Sequence, residues 1–228
     1  MRDAVLFIVF PYLAVALAVG VSLYRFLAHQ FTFSSLSSQW LEGRWLFWGA
    51  VPWHFGVVPI LLIHLGAFVI PRVMALLHGT PATLYLAELV GKVLALLAFA
   101  GMLVLIVRRL SNPKLRVVTT PMDWAVLALL LNQIFLGLWT AFFYRWGAAW
   151  FVDTATPWVQ SLAAFRPQTE TVAALPLIPK LHFLNATLLI ALVPFSRLVH
   201  LLAFPIAYLW RRLQAVTWNR RPESQKGQ

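Results

Sequence analysis

The 228-residue sequence contains no cysteine, and only 11% of its residues are charged. Without cysteine the chain forms no disulfide and offers no thiolate for an iron–sulfur cluster, for thiol catalysis or for covalent haem attachment. Hydrophobic residues make up 61% of the chain, whereas a soluble domain has about 45–50% apolar and about 25% charged residues. A chain of this size cannot bury so much apolar surface in one globule, so a simple soluble fold is close to excluded.

Acidic residues are also scarce, since seven Asp and Glu stand against 18 Lys and Arg. In a soluble chain this basic excess would suggest nucleic acid, but here the basic residues separate long apolar runs, which indicates membrane topology. No acidic residue lies in the middle of an apolar run, so a proton pump built on buried carboxylates is not expected. The chain also has no glycine-rich phosphate loop, metalloprotease helix motif or nucleophile elbow.

Five apolar runs are long enough to cross a bilayer, which takes about 20 residues in a helix. Such long runs exclude barrel strands and predict an all-α integral membrane bundle of five transmembrane helices. The first run also resembles a signal peptide, but it continues far enough to span, and we expect it to be retained. The five runs are Ala4–Leu27, Phe47–Ile70, Leu86–Val107, Trp124–Tyr144 and Leu181–Leu209.

The basic residues predict the orientation of this bundle. Twelve of the 18 Lys and Arg fall on or near one side of the predicted membrane, and the positive-inside rule assigns that side to the cytoplasm. The N-terminus is then outside and the C-terminus cytoplasmic. We expect residues 1–210 to form the membrane domain and residues 211–228 a basic cytoplasmic tail, in a multi-pass protein of a bacterial or archaeal cytoplasmic membrane.

Four of the six histidines lie within or at the ends of two runs, and these four carry the candidate chemistry. Ionisable residues in a membrane are costly and usually functional, and neutral imidazole is a good axial ligand for haem iron. Because the second and fifth runs are antiparallel, His64 faces His182 near the outer surface, and His54 faces His200 near the inner surface. This arrangement predicts two b-type haems, one near each surface, forming a path for electrons across the membrane.

The spacings of these histidines exclude one compact metal site but do not match each other. Ten residues of helix rise about 15 Å and eighteen rise about 27 Å, and ten steps also miss the starting face by about 80°. Pro59 and Pro194 lie between the histidines of each run, where kinks are expected to reduce the mismatch. Arg197, three residues before His200, is expected either to anchor a haem propionate or to snorkel to the membrane boundary.

Several segments of the sequence resemble the gamma subunit of respiratory nitrate reductase, a membrane di-haem cytochrome b. The most specific are the histidine spacings of ten and eighteen and the stretch from Pro194 to Leu198. The shorter supporting segments are Phe10-Pro11-Tyr12, Ser37-Ser38-Gln39, Trp53-His54-Phe55-Gly56, Arg108-Arg109-Leu110 and Thr119-Thr120 with Asp123.

The resemblance implies that quinol is oxidised near the outer haem and that its electrons pass to the inner haem. They would continue into an iron–sulfur beta subunit at the cytoplasmic face and then into a molybdenum catalytic alpha subunit, while the quinol protons leave outside. The family's quinol pocket uses a lysine near the start of the third helix, but a gap-free count reaches Leu84 here. Lys92 is then the candidate quinol contact, together with His64 and Gly66.

Two alternatives remain open at this point. The chain could be the cytochrome b of another respiratory complex, of the sulfite-reductase-associated or formate dehydrogenase type, which the partner subunits would reveal. It could also be a haem-free transporter or passive anchor whose histidines line a path. Transporters often show repeated halves, and five runs without a repeat argue against that class.

Overall fold

The computed structural model describes residues 2–28, 41–77 and 79–202, and within these ranges every regular element is helical. Five helical segments there are long and apolar enough to cross a membrane, which confirms the predicted all-α five-span architecture. The predicted tail, residues 211–228, lies outside the described residues. The six longest helices are α1 (Arg2–Ala28), α2 (Arg44–Val69), α3 (Pro81–Ser111), α4 (Pro121–Phe143), α5 (Gly147–Ala163) and α6 (Leu177–Leu192).

The spanning helices alternate in direction, so the bundle has two ends. We call one the His200 end, where α2 and α4 begin and α1, α3 and α6 end. The opposite end, where α2 and α4 end, is the His64 end. Contacts between termini support this arrangement: Arg25 near the end of α1 donates to the carbonyl of Pro194 after α6, whereas Phe7 near its start packs on Trp158.

Short polar motifs set the beginnings of α3 and α4. Thr80 and Thr120 each lie one residue before a proline, and each forms a reciprocal capping box with the residue three positions later. The Thr120 hydroxyl accepts from the N–H of Asp123 at 3.2 Å, and the Asp123 carboxylate accepts from the N–H of Thr120 at 3.0 Å. Proline has no N–H, and the first turn of a helix leaves N–H groups without helical partners, so proline is favoured there. The Thr-Pro sequences therefore mark helix starts that hydropathy alone places several residues later.

Glycines bring α2 and α3 into direct backbone contact. A Cβ on Gly56 would lie 2.5 Å from the carbonyl oxygen of Leu94, and a Cβ on Gly101 would lie 2.5 Å from the amide nitrogen of Trp53. Small residues allow helix backbones in a membrane to approach closely, and packing at that distance holds the pair together. The helix that carries His54 and His64 is therefore fixed in register against α3.

Replacing Gly56 with leucine is expected to destabilise the bundle, because the new side chain has no space between α2 and α3. Overpacking of a well-packed contact costs about 1–3 kcal/mol, so the thermal midpoint of the detergent-solubilised protein should fall. Gly91→Ala is the matched control on α3, where a Cβ meets nothing within 4 Å. Equal midpoints for the two variants would contradict this packing.

Helix α5 was not predicted from the sequence, because its polar residues interrupt any long apolar run. It lies at the His64 end and packs against the beginning of α1 and the end of α2. The indole of Trp158 donates to the carbonyl of Phe7 at 2.8 Å, and the hydroxyl of Thr156 donates to the carbonyl of Ala67 at 3.2 Å. Phe7, Trp158 and Val172 form a buried apolar cluster there, so α5 is a packed part of the fold.

The predicted continuous fifth helix, Leu181–Leu209, is wrong in its bounds. Helix α6 ends at Leu192, a 3-10 turn covers Val193–Phe195, and Ser196 is extended at φ −125° and ψ 177°. A second 3-10 turn, Arg197–Leu201, carries His200. Pro194 cannot donate a backbone hydrogen bond, which helps to end the α-helix. His182 and His200 are therefore not on one straight helix, and residues 203–209 lie outside the described part of the chain.

Candidate functional site

His54 and His200 come together at the His200 end. Their ring centroids are 6.4 Å apart with an interplanar angle of 71°. Two imidazoles that coordinate one metal ion from opposite sides, through bonds of about 2 Å, have centroids about 6 Å apart. His200 approaches His54 from the 3-10 turn that follows the break after α6, so a straight helix of eighteen residues does not describe this segment.

Backbone hydrogen bonds determine which ring nitrogen carries the proton in three of the four histidines. In each, Nδ1 lies 2.7 Å from a carbonyl oxygen of the same segment. Because a carbonyl only accepts, Nδ1 donates and Nε2 keeps its lone pair, which is the form that ligates a metal. The pairs are His54 with Ala50, His64 with Ile60 and His200 with Arg197.

The donor set of this pair fits a haem better than an isolated metal ion. Within residues 2–28, 41–77 and 79–202, no three His, Asp or Glu side chains converge on a common point. Two neighbouring imidazoles with unprotonated Nε2 atoms suit a haem iron, which needs only two ligands from the protein. His54 and His200 are the residues that would hold it.

His64 and His182 both lie beneath α5 at the opposite end. The His64 ring contacts Phe151 of α5 edge-on at 5.3 Å, and Phe183, next to His182, stacks on Trp158 of α5 at 5.7 Å. The structure thus places the predicted outer histidines at one end of the bundle. Their pairing across a haem stays a prediction.

The imidazole of His182 rests on α4. A Cβ on Gly137 would lie 3.1 Å from its Cε1 atom, so the glycine leaves room for the ring. Nδ1 of His182 lies 3.1 Å from the carbonyl oxygen of Gln133, and Nε2 lies 3.2 Å from the carboxamide nitrogen of the same residue. Coordination of a metal at Nε2 would therefore replace the contact with the Gln133 amide.

Sequence analysis missed a group of amide side chains next to His182. Asn132, Gln133 and Asn185 interrupt the fourth and fifth apolar runs, and they form hydrogen bonds with one another between α4 and α6. Asn185 is buried, Gln133 is partly buried and Asn132 is exposed. A polar residue inside a membrane span is itself an indication of function. That indication was available for these amides but was applied only to the histidines.

Arg197, the predicted propionate anchor, is paired within the protein. Its Nε lies 2.9 Å from Oδ1 of the buried Asp123, and Nη2 donates to the carbonyl of Val118 at 3.2 Å. The capping carboxylate of α4 thus also holds the segment that carries His200. Anchoring of a propionate by Arg197 stays a prediction.

A second ion pair closes the His200 end. Nε of Arg108 lies 2.6 Å from Oε2 of Glu42, and Nη2 donates to the Glu42 carbonyl, also at 2.6 Å. The Arg108 side chain is only 2% exposed. Burial alone would raise the pKa of Glu42, but hydrogen bonds from the Trp45 N–H and from Arg108, with the charge of Arg108, hold that pKa below its usual value.

The lowered pKa of Glu42 predicts loss of stability in acid. A carboxyl whose folded pKa is lowered contributes stability above its unfolded pKa and loses it as the pH falls through the folded value. The thermal midpoint should therefore fall as the pH is lowered below 4.5, the usual pKa of the group. Glu42→Gln should make the midpoint depend less on pH in that range. Glu170→Gln, at the His64 end, is the control. An acid limb as steep in Glu42→Gln as in the wild type would contradict this assignment.

The candidate quinol residues lie around α3 and the end of α2. Nζ of Lys92 lies 3.3 Å from Oε2 of Glu88 and 5.8 Å from the centre of the Phe142 ring. The α2–α3 contact pairs Gly56 with Ala98, so the antiparallel register places Lys92 close to the level of His64. A Cβ on Gly66 would lie 3.6 Å from Sδ of Met74.

Glu88 was not expected among the functional residues. Helix α3 begins at Pro81 rather than at the predicted Leu86, so Glu88 lies about two turns into the helix, and its side chain is only 10% exposed. An acidic residue in this position needs a partner, which Lys92 supplies.

Comparisons with known proteins show which family the chain resembles along its length. A family model described as nitrate reductase gamma subunit matches residues 3–219. The nitrate reductase gamma chain of Bacillus subtilis is 28% identical over 214 residues, which cover 92% of this chain and 96% of that protein. The respiratory nitrate reductase 2 gamma chain of Escherichia coli is 30% identical over 223 residues, 93% of this chain and 95% of that protein.

The similarity covers almost the entire chain, including the segments between the membrane spans. The respiratory nitrate reductase 1 gamma chain of Escherichia coli is also 30% identical, over 217 residues that cover 92% of this chain and 95% of that protein. Five apolar spans and a match along almost the entire chain identify a multi-pass membrane protein. The chain belongs to the nitrate reductase gamma subunit family.

Proposed function

We propose that this chain is the quinol-oxidising membrane subunit of a respiratory nitrate reductase and that it carries two b-type haems, each between two histidines. The observation that carries the proposal is the approach of His54 and His200 to 6.4 Å from two different segments. His64 and His182 would hold the second haem. When bound, the haems would supply one-electron redox chemistry, and the histidines that would hold them lie at the two ends of the bundle.

The distribution of basic residues supports a cytoplasmic location for the His200 end. Positive residues are enriched on the cytoplasmic side of membrane proteins. At this end they would also face an iron–sulfur beta subunit, which would pass electrons to a molybdenum alpha subunit. The basic residues on or near this end of the bundle are Arg25, Arg44, Arg108, Arg109, Lys114, Arg116 and Arg197.

At the His200 end the protein's role is to orient the two imidazoles and to hold them in the ligating tautomer. The hydrogen bond from Nδ1 of His54 to a carbonyl makes its ring a stronger donor at Nε2, and the same holds for His200. The Arg197–Asp123 pair holds the second segment in place. An arginine so close to His200 could also pair with a propionate.

At the His64 end the chain would bind quinol and release its protons. Oxidation of one quinol yields two electrons and two protons, and haems held by the four histidines would supply acceptors that take one electron each. Lys92 can donate hydrogen bonds to a quinol oxygen, while the backbone at Gly66 and the ring of His64 line the same end of the bundle. Since this end would face outward, protons released here would not return to the cytoplasm.

The proposal is tested with the intact complex in sealed vesicles. Adding a reduced, membrane-permeant quinol to the oxidised complex should reduce b-type haem, and nitrate should then reoxidise it. A pH-sensitive dye should report acid on the side facing the His64 end. Haem that stays oxidised with quinol but is reduced by dithionite, or acid that appears on the cytoplasmic side, would contradict the proposal.

A further inference from the structure

Glu88 and Lys92 form an ion pair on α3 that is largely shielded from solvent. Oε2 of Glu88 lies 3.3 Å from Nζ of Lys92, and the two side chains are 10% and 25% exposed. Removing two charges from water costs free energy that their mutual attraction does not always repay, and ionisable residues in a membrane-spanning helix are usually functional. Stability alone is therefore a weak reason for this pair.

The pair lies where α3 meets the connection between α4 and α5. Nζ of Lys92 lies 5.8 Å from the centre of the Phe142 ring, near the end of α4. A Cβ on Gly147, the first residue of α5, would lie 3.6 Å from Oε1 of Glu88. The carboxylate is thus placed between the ammonium group and the beginning of α5.

Helix α5 connects this carboxylate to His64. Phe151 lies one turn after Gly147, and the centre of its ring is 5.3 Å from that of His64. Four residues rise about 6 Å along a helix, so Glu88 and His64 lie against successive turns of α5. A quinol held at Glu88 would therefore be near the histidine that the proposed function assigns to electron uptake.

The two opposite charges favour a ligand group that both donates and accepts a hydrogen bond. A hydroquinone hydroxyl does so: its O–H can face the carboxylate of Glu88 while its oxygen faces the ammonium group of Lys92. The phosphate group of a lipid has only acceptor oxygens and a negative charge, which the carboxylate would repel. Phe142, Tyr85 and Trp146 have exposed rings beside the pair, and these offer apolar contacts to a flat ring.

We propose that Glu88 accepts one proton of quinol and that Lys92 stabilises the oxygen from which this proton leaves. The quinol O–H bond breaks, the proton moves to a carboxylate oxygen of Glu88, and the electron pair of the bond stays on the quinol oxygen. The ammonium group faces a carboxylate before the transfer and a phenolate after it. This role of Glu88 rests on the proposed function, which supplies the quinol and the acceptors of its electrons.

The transfer leaves the net charge of the three groups unchanged. Creating a separated charge in a poorly hydrated site is costly, and here the positive charge of Lys92 balances first the carboxylate and then the phenolate. The phenolate gives up electrons more readily than the neutral hydroxyl, so the transfer prepares quinol for oxidation. The other titratable side chains on the adjoining elements at this end are His64 on α2, Tyr85 on α3, Tyr144 and Arg145 before α5, and Asp153 on α5.

Glu88→Gln tests the proton transfer, because the amide has the size of the carboxylate but does not take up the proton. A general base contributes about 10²–10⁴-fold to a rate, so kcat for quinol oxidation by the complex should fall at least about tenfold, while KM should change less than about twofold because Lys92 remains. Glu88→Asp restores a carboxylate and should recover part of kcat. Asp153→Asn, which removes an exposed carboxylate of α5, is the matched control and should keep the wild-type kcat.

A binding measurement tests the same contact without turnover. An alkylated naphthol has one hydroxyl and cannot become a quinone by loss of two protons and two electrons, and its methyl ether lacks the O–H. Hydrogen bonds to a charged group are the stronger ones, so the wild-type complex should bind the naphthol at least about tenfold more tightly than the ether. This ratio, measured by equilibrium binding of each labelled compound, should approach one in Glu88→Leu. If Glu88→Leu does not accumulate, the ratio should still be lower in Glu88→Gln than in the wild type.

Three outcomes would overturn the role of Glu88: a wild-type kcat in Glu88→Gln, an equal loss of kcat in Asp153→Asn, or a wild-type complex that binds the naphthol and its ether equally. A wild-type complex in which quinol reduces no haem would overturn the proposed function instead. The two failures are therefore distinguishable in one set of preparations.

Discussion

Replacing His200 with alanine is expected to halve the haem content, from two haems per chain to one. The ring of His54 would remain without its partner at 6.4 Å, and a single imidazole would hold the iron much more weakly. Electrons from quinol would then have no route to the cytoplasmic subunits, so quinol-dependent nitrate reduction should fall by more than about 100-fold. Haem extraction, absorption spectra and activity of the purified complex measure the three quantities.

His54→Ala should reproduce the loss in His200→Ala, because the two rings would hold the same haem. His78→Ala is the control, since the sequence assigns that histidine no role, and it should retain both haems. Activity driven by an artificial donor that reduces the soluble subunits directly should survive in all three variants. Retention of two haems in His200→Ala, or selective loss of the haem at the His64 end, would contradict the pairing.

Replacing Lys92 with alanine is expected to weaken quinol oxidation without loss of haem. Removal of the ammonium group leaves the buried carboxylate of Glu88 without its partner at 3.3 Å, and a charged hydrogen bond to quinol would be lost as well. Such a bond contributes about 1.5–3 kcal/mol, so KM for quinol should rise about tenfold or more. Steady-state kinetics with a water-soluble quinol analogue provide the measurement.

Glu88→Gln separates the two roles that Lys92 could have. It removes the ion pair but leaves the ammonium group available to quinol, so KM should change less than in Lys92→Ala. Lys114→Ala, at the opposite end of the bundle, is the control for loss of a positive charge. A wild-type KM in Lys92→Ala would remove this lysine from the quinol site.

The membrane architecture could be predicted from composition, because about 20 consecutive apolar residues have few other uses. Helix beginnings were less accurate: hydropathy placed the start of α3 at Leu86, whereas Thr80 and the following proline set it earlier. Capping motifs therefore add information that hydropathy lacks. The amphipathic α5 was missed for the opposite reason, since its polar face resembles a loop in a hydropathy profile.

The pairing of the histidines illustrates what spacing can and cannot predict. Antiparallel direction predicted His54 opposite His200, and the two ring centroids lie 6.4 Å apart, but the separation along the chain was treated as helical rise. In the structure the chain leaves α-helical geometry before His200, and at the break the hydroxyl of Ser196 accepts from the N–H of Leu198 at 3.2 Å. Proline indicated a kink, yet a complete change to 3-10 geometry depends on tertiary contacts that one sequence does not reveal.

Partners of charged and polar groups were the least predictable features. Arg197 pairs with Asp123 across 74 positions of sequence, and Arg108 pairs with Glu42 across 66. Such pairs follow from the packing of α3, α4 and the segment after α6. Each residue was visible as a charge near a membrane boundary, but its partner was set by the fold.

A reductive titration of the purified complex, followed through its absorption spectrum, tests the central claim most directly. The account predicts two b-type haems per gamma chain that titrate as separate components, and it predicts that the component lost in His54→Ala is the one lost in His200→Ala. A gamma chain without haem, or His54→Ala and His200→Ala variants that lose different components, would contradict it.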